Sequence, residues 1–196
     1  MSAVPVVYLV RHGETEWARE GRHTGLSDIP LTTEGEAAAR GMTNVLDAFT
    51  FAQVWTSPLQ RARRTCELAG FGARAHVDRD LVEWDYGAYE GRRSDEIHHE
   101  RPEWSLFRDG CPHGEGAAEV GARADRLVQR LRATSGKTLI FSSGHLLRVL
   151  TARWLGLDPA AGACVALFTA SLSVLGYEHG DRDPVILLWN QQQRTT

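Results

Sequence analysis

The spacing of apolar and polar residues changes period repeatedly along the chain. Pro5–Val10 is a continuous apolar, β-branched run, the pattern of a strand covered on both faces. A polar, glycine-containing loop follows from Arg11 to Leu31. Thr33-Glu-Gly-Glu36 fits a capping box, with Leu31 placed as a staple, so the alanine-rich stretch to Phe49 is predicted to be a helix. Phe51–Ser57 reads as a second strand, and Pro58 marks the start of a helix continuing through Leu59–Ala69. Ala75–Trp84 alternates as a third strand. Asp85–His113 is rich in Gly, Arg, Pro and aromatics, with a short helix around Ser94–His99. Gly114–Ala133 is a long amphipathic helix, Thr138–Ser142 a buried strand and His145–Leu155 a further helix. Ala163–Ala170, Leu172–His179 and Val185–Trp189 read as closing strands.

Strands alternating with helices predict an α/β protein, a three-layer α/β/α sandwich around a mainly parallel central sheet. Ligands of such sheets bind beyond the carboxyl ends of the strands. No repeat, low-complexity linker or boundary divides residues 1–196, which read as one domain with a short lid or specificity segment at about 85–113.

Composition narrows the function classes. With 42 % hydrophobic and 24 % charged residues the chain is neither disordered nor fibrous. A net charge of −3 argues against a nucleic-acid-coating surface. Lys137 is the only lysine, so positive charge is carried by arginine, a planar binder of phosphate and carboxylate. Cys66, Cys111 and Cys164 are far apart and read as reduced thiols. The first ten residues lack a basic leader, and no apolar run approaches the roughly 18 residues of a membrane span. These features predict a soluble cytoplasmic protein.

The candidate chemistry lies at the predicted strand ends. The first strand runs into Arg11-His12-Gly13-Glu14-Thr15, the second into Ser57-Pro58-Leu59-Gln60-Arg61-Ala62, the third into Glu83-Trp84-Asp85-Tyr86-Gly87 and the fourth into Ser142-Ser143-Gly144-His145. In a parallel sheet these ends converge on one rim. Arg11, Arg61 and a protonated His145 would repel one another there without an anion. A phosphoryl group, whose oxygens accept several charge-assisted bonds, satisfies them.

These motifs, in this order, resemble the histidine phosphatase superfamily, also called phosphoglycerate-mutase-like proteins. The similarity continues through Gly21-Arg22-His23-Thr24-Gly25-Leu26-Ser27-Asp28, Pro30-Leu31-Thr32 and Ala88-Tyr89-Glu90-Gly91, and covers most of the chain. The resemblance implies a phosphoglycerate-mutase-like fold and a division of labour. His12 would be the nucleophile, its tautomer fixed by a backbone carbonyl, and would carry a phosphohistidine. Arg11, Arg61 and His145 would hold the phosphoryl oxygens. Glu83 would protonate the leaving alkoxide and then activate water, with Asp85 and Glu90 the other carboxylates within reach of that role. Thr24, Gly25 and Tyr86 match positions that bind phosphate or substrate. No metal or other cofactor is implied, since the arginines supply the positive charge.

Within the superfamily the segment after Tyr86 is short, which favours hydrolysis over mutase chemistry because water can reach the phosphoenzyme. The resemblance is to the short acid phosphatases and, second, to sedoheptulose-1,7-bisphosphatase-like enzymes. The expected function is hydrolysis of small phosphorylated metabolites with release of inorganic phosphate. A phosphoglycerate mutase and a non-catalytic phospho-ligand binding module are the alternatives. Ala18 stands where many relatives carry Asn, and Ser143 where many carry His, which touches support around His145. Gly116 stands where Ser or Thr is usual. The remaining features have plainer readings: His98, His99 and His113 as solvated residues, Arg63 and Arg64 as a helix edge, Cys111 as packing. Trp104, Phe107 and Arg108 either meet the substrate or close the pocket. A homodimer through the closing strands is compatible with the sequence.

Overall fold

The computed structural model describes residues 4–192. In chain order it contains β1 (Val6–Arg11), α1 (Glu16–Arg19), α2 (Thr33–Leu46), β2 (Gln53–Thr56), α3 (Gln60–Leu68), β3 (Ala75–Val77), α4 (Ser94–Glu100), α5 (Leu106–Asp109), α6 (Ala117–Arg132), β4 (Lys137–Ser142), α7 (Gly144–Trp154), β5 (Leu172–Glu178) and β6 (Asp183–Gln191). The strands form one sheet in the order β3-β2-β4-β1-β5-β6. The pairs β1·β4, β2·β4 and β2·β3 are parallel, and β5 and β6 add antiparallel. The mainly parallel sheet is therefore the expected one.

Period-2 alternation divides the core between the two faces. Val7 and Leu9 of β1 join Leu127, Val128, Leu147 and Leu150 of α6 and α7 in one cluster. Tyr8 and Val10 join Met42, Leu46 and Cys66 of α2 and α3 in the other. Helices thus cover both faces, as the continuous apolar run of β1 requires.

Several boundaries differ from the sequence reading, each for a local reason. The cap of α2 is Thr32, whose hydroxyl accepts from Gly35 N at 3.0 Å, and not Thr33. Glu36 does not close a capping box; it pairs with Arg40 and Arg64. The third strand stops at Val77 because the Asp78 carboxylate accepts from Asp80 N and starts a 3-10 turn over Arg79–Leu81. No strand forms at Ala163–Ala170. Side chains claim the carbonyls a ladder would need there: Arg148 takes those of Gly162 and Ala163, Trp189 that of Ala166 and Arg11 that of Leu167. In the segment at about 85–113, Tyr89, Ile97, Trp104, Leu106 and Phe107 are all buried in the α6–α7 side of the core. Arg108 points outward to Asp109.

Candidate active site

The carboxyl ends of β1 and β4 are locked side by side, Arg11 level with Ser142, and His12 N donates to Ser142 O at 2.9 Å. This places His12 beside Ser143 as both chains leave the sheet. Gly13 then passes against the first turn of α2 so closely that a Cβ on it would lie 2.4 Å from Gly35 O. A glycine is required there, and the approach lets Gly13 N donate to Thr65 Oγ1 at 3.0 Å. The His12 ring is fixed by the same turn: its Nδ1 lies 2.7 Å from Gly13 O. Only N–H can face a carbonyl, so Nδ1 carries the proton and Nε2 keeps its lone pair.

A cavity of about 240 Å³ opens at this rim, and Arg11, His12, Thr24, Glu83, Tyr86 and His145 line it. Burial pushes the His12 imidazolium well below 6.5, with the charges of Arg61 and Arg11 acting in the same direction. The ring is therefore neutral. Arg11 Nε is buried without a hydrogen-bond partner among the described residues. Arg61 is fully buried behind the wall and does not line the cavity. Its guanidinium holds the carbonyls of Ser27, Thr24 and Gly25 at 2.7–3.0 Å, and its Nε is likewise unpartnered.

Glu83 is buried at the start of α7 and serves its unpaired N–H groups. Oε1 accepts from Trp84 N at 2.9 Å and Leu146 N at 2.8 Å, and Oε2 accepts from His145 N at 3.0 Å. Oε2 thus has the larger remaining capacity for a proton. The other two candidate carboxylates, Asp85 and Glu90, do not line the cavity, and Glu90 Oε2 is buried without a partner among the described residues. Asp85 accepts from Gly87 N, and Glu90 accepts from Gly25 N and Ser27 N.

His145 reaches the cavity from the first turn of α7, and the sequence-based expectation of a protonated ring does not hold. Burial pushes its imidazolium well below 6.5, and Arg148, His23 and Arg11 add to the effect. Its Nδ1 lies 2.6 Å from the Tyr86 hydroxyl. Burial and the Glu83 carboxylate hold the Tyr86 phenol well above 10, so it keeps its proton. The hydroxyl has no other partner among the described residues and therefore donates to Nδ1, which assigns the proton of neutral His145 to Nε2. Two histidines are thereby set in opposite tautomers, one presenting a lone pair and the other an N–H.

A sequence model of the histidine phosphatase superfamily (branch 1) matches residues 7–192. The chain belongs to this superfamily. It is 39 % identical over 183 residues to an acid phosphatase of Mycobacterium tuberculosis, covering 91 % of this chain and 90 % of that protein. Sedoheptulose 1,7-bisphosphatase of Saccharomyces cerevisiae is 35 % identical, with 80 % of this chain and 69 % of that one covered. Relatives at 34 % identity include a Photorhabdus laumondii protein named as a probable phosphoglycerate mutase, with 88 % of this chain and 85 % of that one covered. The solved structure of an open reading frame product of Mycobacterium tuberculosis superposes with a TM-score of 0.89 at 35 % identity, covering 96 % of this chain and 98 % of that one.

Against the superfamily's motifs, the residues separate by position. Arg11, His12, Thr24, Glu83, Tyr86 and His145 meet in one cavity; Arg61 and Gly25 do not line it. Gly25 is a packing glycine instead, for a Cβ there would lie 2.5 Å from Glu90 Oε2 and from Trp84 O. Ala18 is at the wall. Ser143 is fully buried, with an unpartnered hydroxyl. Residues that sequence reasoning did not single out also line the cavity: Arg22, His23, Ser94 and Arg148. Burial lowers His23 to about 4, and its ring packs against Tyr86 and Trp104. Phe107 backs the cavity, with its ring centroid 5.5 Å from that of His145. Among the described residues no group of three or more His, Cys, Asp or Glu is arranged to hold a metal, and no helix is long and apolar enough to cross a membrane.

Proposed function

We propose that the chain hydrolyses small phosphomonoesters through a phosphohistidine on His12. The observation that carries this reading is the 2.7 Å contact of His12 Nδ1 with Gly13 O, which leaves a neutral Nε2 on a cavity that Arg11, His145 and the single carboxylate Glu83 also line. The phosphoryl oxygens accept from Arg11 and from His145 Nε2–H, with the charge of Arg61 behind them. His12 Nε2 forms a bond to phosphorus as the P–O bond to the leaving group breaks, and Glu83 Oε2 delivers a proton to the departing alkoxide. Glu83 then takes a proton from water, the water oxygen attacks phosphorus, and the N–P bond breaks. Inorganic phosphate and neutral His12 are released.

Hydrolysis is favoured over phosphate transfer because the segment at about 85–113 is short and most of its bulky side chains are buried in the core. Three free thiols, two of them buried, fit a reducing cytoplasm. The deciding experiment follows the fate of a labelled phosphoryl group after rapid quench. A base-stable, acid-labile phosphoenzyme that decays in water to inorganic phosphate is the expected result. A phosphoenzyme that persists until phosphoglycerate is added would make the chain a mutase, and no labelling would make it a binding module.

The pH profile gives a second check. Delivery of a proton by Glu83 requires its carboxyl form, so the rate is favoured on the acidic side of neutrality. Lowering the pH protonates a nucleophile, but only below its own value, and burial has moved His12 well below 6.5. The expected kcat/KM maximum therefore lies below pH 7, with no acid limb near 6.5. A maximum above neutrality would contradict these roles.

A further inference from the structure

We propose that Arg148 forms a second anion subsite in this cavity, selecting phosphomonoesters that carry a further phosphate or a carboxylate. The proposal rests on the hydrolase reading above and names its substrate class. Helix α7 places Arg148 three residues after His145, on the same face, and both line the cavity. The guanidinium is half-buried and held in plane. Its Nε donates to Gly162 O at 2.9 Å and one terminal nitrogen to Ala163 O at 3.2 Å, while the group lies 4.6 Å from the Phe107 ring centroid. The other terminal nitrogen has no partner among the described residues and lies in the planar geometry that suits a phosphate or carboxylate oxygen.

Arg148 is distinguished from its neighbours by charge. Arg22, also on the wall, is paired with Glu20, and Arg123 nearby with Glu115. Arg148 has no carboxylate within 4.0 Å among the described residues. Glu83 is the one carboxylate on the wall, and its oxygens already accept three backbone N–H groups. A phosphoryl group on His12 offsets Arg11 and Arg61, leaving Glu83, which acts on Arg148 only as a longer-range attraction, as the one carboxylate of the wall set against it. The cavity has the room: about 240 Å³ is the space of roughly eight waters at about 30 Å³ each, more than a phosphoryl group fills.

The alternative is that Arg148 only braces the Gly162–Ala163 turn. Turnover of fructose 1,6-bisphosphate, 3-phosphoglycerate and two comparison esters with one anionic group each, glycerol 3-phosphate and p-nitrophenyl phosphate, separates the two. Wild-type protein is expected to prefer the bisphosphate or the phosphocarboxylate by at least about tenfold in kcat/KM, and the better of the two identifies the second anion. Arg148→Gln should raise KM for the preferred ester by roughly 10- to 100-fold, the worth of a hydrogen-bonded charge. The loss on p-nitrophenyl phosphate should be smaller than the loss on the preferred ester by about tenfold or more, and Arg148→Lys should recover part of the loss on the preferred ester. Equal losses on all four esters, or a wild type indifferent to the second anion, would overturn the subsite. If no ester is turned over, the hydrolase reading fails by itself. Calorimetric titration of wild type and Arg148→Gln with the same ligands then decides the subsite, which a selective loss of binding to the doubly anionic ligands supports and a uniform loss refutes.

Discussion

His12→Ala lowers turnover of p-nitrophenyl phosphate by about 10⁴-fold or more, the scale on which losing a covalent nucleophile is felt, and abolishes labelling of the protein by substrate phosphate. The size of the effect follows from how completely the site is built around one nitrogen. The peptide of Gly13 turns its carbonyl onto Nδ1 at 2.7 Å, and the β1–β4 register fixes the residue through His12 N. Burial with Arg11 and Arg61 nearby keeps the ring uncharged. Alanine leaves the arginines in place, so phosphate binding should survive while the covalent step does not. Calorimetric titration with inorganic phosphate and steady-state kinetics read these separately. Wild-type turnover in the alanine variant would defeat the phosphohistidine mechanism, and a protein inactive before and after the change would be the binding module.

How much of this was legible in the sequence depended on the range of the interactions involved. The strands β1 and β4 carry apolar runs, Val7–Val10 and Leu139–Phe141, buried on both faces, and the polar residues just beyond them could be placed at one rim from pattern alone. Glu83 was legible only from its order among the motifs, because the strand expected to carry it ends at Val77. Its position comes from capping α7 across 62 residues of sequence, a contact no local pattern encodes. Arg61 had a legible identity and an illegible place: three loop carbonyls draw its guanidinium behind the wall. No motif marks Arg148; only the fold sets it on the cavity wall. The 163–170 segment misled for a related reason. Its composition suits a strand, but distant arginines and a tryptophan hold its carbonyls.

Glu83→Gln separates the two duties of the buried carboxylate. As a structural group it accepts Trp84 N, Leu146 N and His145 N. Glutamine offers one acceptor oxygen in place of two, so at least one amide hydrogen faces another donor, and a loss of about 1–3 kcal/mol in unfolding free energy is expected by urea titration. As a proton donor its loss costs about 10²–10⁴-fold in rate, but only where the leaving group needs the proton. Alkyl phosphates should show the full loss in kcat. p-Nitrophenolate departs unaided, so the variant should still phosphorylate His12 from that ester. The second half of the cycle then stalls, because water attack needs the same carboxylate as base. Rapid mixing should therefore show a burst of p-nitrophenolate approaching one per site, followed by slow turnover and an accumulated phosphoenzyme. Equal losses with both esters and no burst would reduce Glu83 to the cap of α7, and the proton would have to be sought on another group of the cavity wall.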